Sequence, residues 1–75
     1  MDYSEFRINR AVPTKTVCTF EYGEEIVVVK NVPCDVDEVS GEKHFTNEVL
    51  TRVQKHADRA TRVNAEFVLI DYEKL

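Results

Sequence analysis

Cys18, Cys34, His44 and His56 are the soft side chains of this 75-residue sequence, the ones able to ligate zinc or to form a nucleophile with its base. Structural zinc takes four ligands, usually supplied as short pairs that place two on one turn, and these four residues contain no such pair. A nucleophilic site would need Cys34 to meet His44, or Cys18 to meet His56, beside a third orienting group and a pocket. A chain this small rarely encloses one, so no catalytic residues and no enzymatic activity are expected. No metal and no cofactor are expected either.

Two charged groupings remain. Asp35, Asp37, Glu38 and Glu42 make an acidic turn whose oxygens suggest calcium. An EF-hand counted from Asp35 would need glycine where Ser40 stands and an acid where Thr46 stands. A solvated acidic turn that could dock on a basic partner fits better. Arg52, Lys55, Arg59 and Arg62 fall on one side of a helix and form a basic face. That face complements the negative helix end, and it lacks the interleaved aromatics that stack bases. The net charge of −4 and the pI near 5.1 further disfavour nucleic acid, whose nonspecific binding depends on Lys and Arg displacing counterions.

Composition bounds the carrier of these groups. With 43% hydrophobic and 32% charged residues the chain should fold as one small domain. Bodies of this size bury only about 60% of their unfolded surface, and their cores seldom supply more than about 3–5 kcal/mol, so a metal, disulfide or partner is often recruited. No stretch reaches the length of a membrane span, and the acidic Met1-Asp2-Tyr3-Ser4-Glu5 start is unlike a signal peptide. A cytoplasmic location with Cys18 and Cys34 reduced is expected.

The elements follow from pattern. Residues 1–13 read as an arm or short edge strand, with Phe6 and Ile8 alternating against Arg7 and Asn9. Residues 14–31 are rich in Val, Ile, Thr, Phe and Tyr around Gly23-Glu24, which predicts a hairpin with a type II′ turn. Cys18, Phe20 and Tyr22 would share one of its faces, and Val17, Thr19 and Glu21 the other. Thr46 is a predicted N-cap, with Phe45 and Leu50 as a staple. Val49, Val53, Ala57 and Ala60, widened by Leu50, form the apolar stripe of a helix over 46–61 that exits near Asn64. Residues 65–72 read as a final strand whose apolar side chains do not alternate. Phe67 and Leu69 would lie on one face and Val68, Ile70 and Tyr72 on the other, and one helix can cover only one of them.

Between hairpin and helix, Val32-Pro33, Val36, Gly41-Glu42 and Phe45 reproduce the frame V-P-x-x-V-C-x-x-C-G-E followed by an aromatic and a helix. In this the chain resembles the YgiT-type zinc-finger domain of bacterial toxin-antitoxin systems, found at the N-terminus of MqsA-type antitoxins, over about residues 16–60. The family's second pair of cysteines maps onto Asp37 and Ser40, and residues 1–17 contain no cysteine for the first pair. The resemblance is therefore to a degenerate zinc knuckle, 32–45, that has lost its metal. It implies an antitoxin-like module that neutralises a cognate toxin by direct contact. Larger members add a helix-turn-helix after this domain, and none is expected within these 75 residues.

The expected architecture is α+β, a small antiparallel sheet of three to four strands with one helix packed across it. The expected partner-binding residues are Glu66, Phe67, Val68, Leu69, Ile70, Asp71 and Tyr72 of the last strand. Glu66, Asp71 and the acidic turn could meet the Arg and Lys of an RNA-cleaving toxin. That strand could add to a toxin's sheet, complete its own sheet, or exchange within a homodimer. The alternative function is a self-associating module with no toxin partner.

Overall fold

A computed structural model describes residues 11–61 and 65–75. Most of the expected N-terminal arm, the helix exit at Asn64 and the basic Arg62 lie outside the described residues. Strand β1 (Ala11–Tyr22) turns at Gly23-Glu24 into β2 (Glu25–Asp37). Then follow a two-residue strand β3 (Lys43–His44), the helix α1 (Asn47–Ala60), strand β4 (Phe67–Asp71) and a 3-10 turn over Tyr72–Lys74. The class is α+β, a four-stranded sheet with a single helix.

β2 is the central strand. Along one edge it pairs antiparallel with the whole of β1, from Tyr22↔Glu25 to Ala11↔Asp37. Its other edge is shared: β4 takes residues 26–30 and β3 takes Asp35 and Val36. β3 is antiparallel to β2, but β4 runs parallel to it. The parallel pairing follows from connectivity, since α1 lies between β2 and β4 and carries the chain back to the starting end of β2.

Gly23 takes φ +64°, and Glu24 stays at negative φ, as a type II′ turn demands. The hairpin is longer than the sequence suggests. It continues through Val32–Asp37, so the knuckle shrinks from 32–45 to a turn at 38–42. Pro33 is tolerated inside β2 because it stands between the β4 ladder, ending at Lys30, and the β3 ladder, starting at Asp35. No N–H is asked for along that gap.

A one-residue irregularity keeps the long strand amphipathic. Between Cys18↔Val29 and Thr16↔Val32, β1 spends one residue and β2 spends two. Asn31 absorbs the extra residue at φ +60°, a conformation Asn accepts more readily than branched side chains do. The slip changes which positions point inward, from Val27 and Val29 to Val32 and Cys34. Without it, every side chain beyond Asn31 would point to the opposite face.

α1 lies across this inward face. Thr46 caps it, its Oγ1 accepting from the Val49 N–H at 3.2 Å, and Glu48 sits in the positive first turn. Val53, Ala57 and Ala60 pack on Val27, Val29 and Val32, with Phe20, Tyr22, Phe45, Val49, Val68 and Ile70 around them. Leu50, expected in the stripe, is instead 46% exposed. On one flank Tyr22 donates from its hydroxyl to Asp58 Oδ1 at 3.0 Å and accepts from Gln54 at 3.1 Å. On the other flank the Arg52 guanidinium lies 5.9 Å from the centre of the Tyr72 ring. The core is thin: Val27, Val29, Val32 and Val53 are its largest fully buried side chains, each worth about 1.5–3 kcal/mol.

Candidate protein-binding face

The parallel β2–β4 ladder sorts the last strand residue by residue. Val27↔Val68 and Val29↔Ile70 face the helix, while Ile26↔Phe67, Val28↔Leu69 and Lys30↔Asp71 face away from it. β1 extends those outward rows, because Glu21 pairs Ile26 and Thr19 pairs Val28, with Val17 next along. The outward face of three strands is thus a block of Val17, Thr19, Ile26, Val28, Phe67 and Leu69. No described element covers it. Phe67 is 58% exposed, Val17 56%, Leu69 54% and Ile26 39%. Scattered apolar side chains are normal on a surface, but a contiguous group rimmed by charge marks a contact site.

The rim is polar and differs at its two ends. Toward the hairpin turn stand Glu21, Glu24 and Glu66, all exposed, with the Ile26 N–H donating to the Glu66 carbonyl at 2.9 Å. A shallow depression there is lined by Tyr22, Glu24, Glu25, Ala65 and Glu66. At the opposite end Lys30 stands beside Asp71, and the Lys15 ammonium is paired with Glu73. Asp71 Oδ1 accepts from Asn31 Nδ2 at 3.0 Å and from the Glu73 N–H at 3.0 Å. The Asn31 hydrogen bond holds the Asp71 carboxyl below its ordinary value of 3.8; the Glu73 N–H and the charges of Lys30 and Lys74 act the same way, and desolvation opposes them. This carboxylate ties the bulge to the start of the 3-10 turn.

Of the seven expected contact residues, Phe67, Leu69 and Glu66 are displayed on the surface. Val68, Ile70 and Tyr72 are half-buried and packed against the core. Asp71 is engaged by its own sheet. β4 completes that sheet, so the edge it would have offered to a partner through the β2 side is used internally. Sequence reasoning missed Val17, Ile26 and Val28 as members of the face. Their alternation with Cys18, Val27 and Val29 was readable, but it needed the register to show that they adjoin Phe67 and Leu69.

The other candidate groups are not brought together. β3 pairs His44 with Asp35, which points away from the inward-facing Cys34. Cys18 sits two inward rows from Cys34, beside Val29 rather than Thr14, and both thiols are free. Burial, and then the neighbouring Cys34, push the Cys18 thiol up from its ordinary 9.0, which keeps it protonated and unreactive. Among the described residues no group of three or more His, Cys, Asp or Glu is placed to hold a metal ion. Arg52 of the basic face is turned onto Tyr72, leaving Lys55 and Arg59 exposed.

At the knuckle, the positions that would carry zinc thiolates do a different job. Asp37 Oδ1 accepts from the Val39 N–H at 2.8 Å and the Ser40 N–H at 3.3 Å, and Ser40 Oγ accepts from the Glu42 N–H at 3.2 Å. Backbone bonds from the Gly41 N–H to the Asp37 carbonyl and from the Asp37 N–H to the Glu42 carbonyl, 2.7 and 2.9 Å, close the loop. Gly41 supplies the φ of +75°. Side chains committed to backbone N–H groups do not fit a zinc site, and the turn is held by hydrogen bonds.

Comparison with protein-family models, curated proteins and solved structures finds no match to this chain. Among the described residues no helix is long and apolar enough to cross a membrane.

Proposed function

We propose that the chain is a protein-binding module that acts by contact rather than catalysis, and that its working surface is the helix-free face of β1, β2 and β4. The observation that carries this is the four large apolar side chains Val17, Ile26, Phe67 and Leu69, each 39–58% exposed and adjoining in the ladder register. A domain with so thin a core gains most from covering such a surface.

The resemblance of the knuckle to the YgiT-type domain gives this reading its specific form, an antitoxin-like chain that neutralises a cognate toxin by lying against it. Glu21, Glu24 and Glu66 at the rim suit a basic toxin surface. Self-association is the second reading, and the same exposed apolar block would serve it. Co-expression with the product of the adjoining reading frame, followed by size exclusion with light scattering, tests the antitoxin form. A stoichiometric complex that the pair Phe67→Glu and Leu69→Glu abolishes is expected. A complex indifferent to both substitutions would sink the assignment of the face.

A further inference from the structure

We propose that two copies of this chain join edge to edge through β1, antiparallel about a two-fold axis that passes through the sheet at Cys18, to make one continuous sheet. The contact is the edge of the sheet and does not depend on the reading of its outward face. β1 is the outermost strand, and among the described residues its ladder partner is β2 alone. Its second edge therefore presents a row of main-chain donors and acceptors, a template for another strand.

The hairpin decides which groups lie on that row. Tyr22 and Glu25 close a two-residue turn and exchange hydrogen bonds, and Phe20 and Cys18 follow with the same parity. The phase agrees with the Ile26 N–H, which leaves β2 on its other side for the Glu66 carbonyl. Glu21, Thr19, Val17 and Lys15 thus aim their N–H and C=O groups off the free edge. Pro13 has the same parity but no N–H, so a run of pairing ends before it.

Charge and Pro13 together select a register for the open stretch from Lys15 to Glu21. An axis at Lys15 or at Glu21 sets like charges opposite each other. An axis at Val17 puts Pro13 opposite Glu21 and loses a bond, and an axis at Thr19 leaves Lys15 opposite Gly23. With the axis at Cys18, Lys15 meets Glu21 at both ends and Val17 meets Thr19 between them, a closed isologous contact of about eight main-chain hydrogen bonds. Lys15 is already paired with Glu73, but both groups are exposed and such a pair is weak, so the Lys15 side chain is available to Glu21.

Nothing in the fold obstructs this contact. Each helix lies over β2, one and a half strand spacings from the axis, so the two helices stand roughly 14 Å apart, beyond the 8–10 Å of packed helices. They share one side of the joined sheet. The two outward apolar faces then merge along Val17 and Thr19, which doubles the surface open to a third chain.

Sedimentation of the full chain from micromolar to near-millimolar concentration tests the edge, with far-UV circular dichroism confirming the fold of each variant. The wild type should shift from monomer to dimer. Thr19→Pro removes an edge N–H without touching the β2 ladder and should stay monomeric. Lys15→Glu and Glu21→Lys each place like charges at both ends of the contact and should weaken it by roughly 2–30-fold, the scale of two cross-strand pairs. Mixing those two variants should restore association, because every rung then joins opposite charges. Cys18 should stand about 4.5 Å from its own copy, Cα to Cα, so oxidised glutathione at alkaline pH should link the dimer through Cys18 in a peptide map. A wild type that stays monomeric overturns the proposal, as does a mixture no tighter than its components or a dimer not linked through Cys18. Phe67→Glu, on β4, should leave the dimer unchanged. If it abolishes self-association while the β1 variants do not, the copies meet through the face and the edge is wrong. If it destroys only a complex with a different protein, edge and face both stand.

Discussion

The two faces of one sheet differ in what completes them. On the inward face Val27, Val29 and Val32 are closed by Val53, Ala57 and Ala60, and polar groups at both flanks of the helix stitch it down. On the outward face Ile26, Val28, Phe67 and Leu69 come from the same strands, are equally apolar, and are covered by no described element. Neighbouring residues of β4 therefore have opposite work: Val68 and Ile70 maintain the fold, and Phe67 and Leu69 are spare. What separates scaffold from surface in this chain is the parity of a residue, not its type.

The sharpest way to break that contrast is to place a charge at matched positions of the two faces. Val29→Asp buries a carboxylate with no partner, a cost of several kcal/mol that exceeds a margin of about 3–5 kcal/mol, so the chain should lose its circular dichroism signal. Leu69→Asp should leave the signal intact. Equal unfolding by both would show the outward face to be core.

Cavity variants sharpen the contrast more gently. Val53→Ala should destabilise by about 2 kcal/mol in urea titration, while Leu69→Ala should stay within about 0.5 kcal/mol. The knuckle offers a third comparison, between hydrogen bonds and metal as the means of closing a turn. Asp37→Ala should cost about 1–2 kcal/mol, and added zinc should not recover it.

Smaller effects concern the bulge that sets the parity. Asn31→Ala should cost about 1 kcal/mol for the left-handed backbone, and Asn31→Gly should relieve that strain while still losing the Asp71 hydrogen bond. Because the Asp71 carboxyl is depressed in the folded chain, its contribution is present above its ordinary value of 3.8 and is lost as pH falls through the folded value. In both Asn31 variants a carbon-detected NMR titration should find the Asp71 midpoint moved up toward that ordinary value. An unmoved midpoint would show that Asn31 is not the cause.

Much of this was legible in the residues. Thr46 and the stripe Val49, Val53, Ala57 and Ala60 place the helix to within a residue at each end, because capping and periodicity are local. The failure of 67–72 to alternate announced a strand with two apolar faces and one helix to cover them. The parallel direction of β4 was not legible, since no local residue encodes which edge of β2 the returning chain meets. The length of β2 was hidden by Pro33, which reads as a strand end until the gap between two ladders is known. The bulge was not legible either: residues 26–29 are all apolar, so the phase slip at Asn31, from inward Val27 and Val29 to inward Val32 and Cys34, emerges only with burial and pairing.

The central claim is that the outward face is a contact surface, and methyl NMR of the full chain with any protein that co-purifies with it reads that face directly. The account predicts that methyl signals of Val17, Ile26, Val28 and Leu69 move together on association while those of Val27, Val29 and Val53 hold still. Association that moved Leu50 on the helix and left the four outward methyl groups unchanged would contradict it.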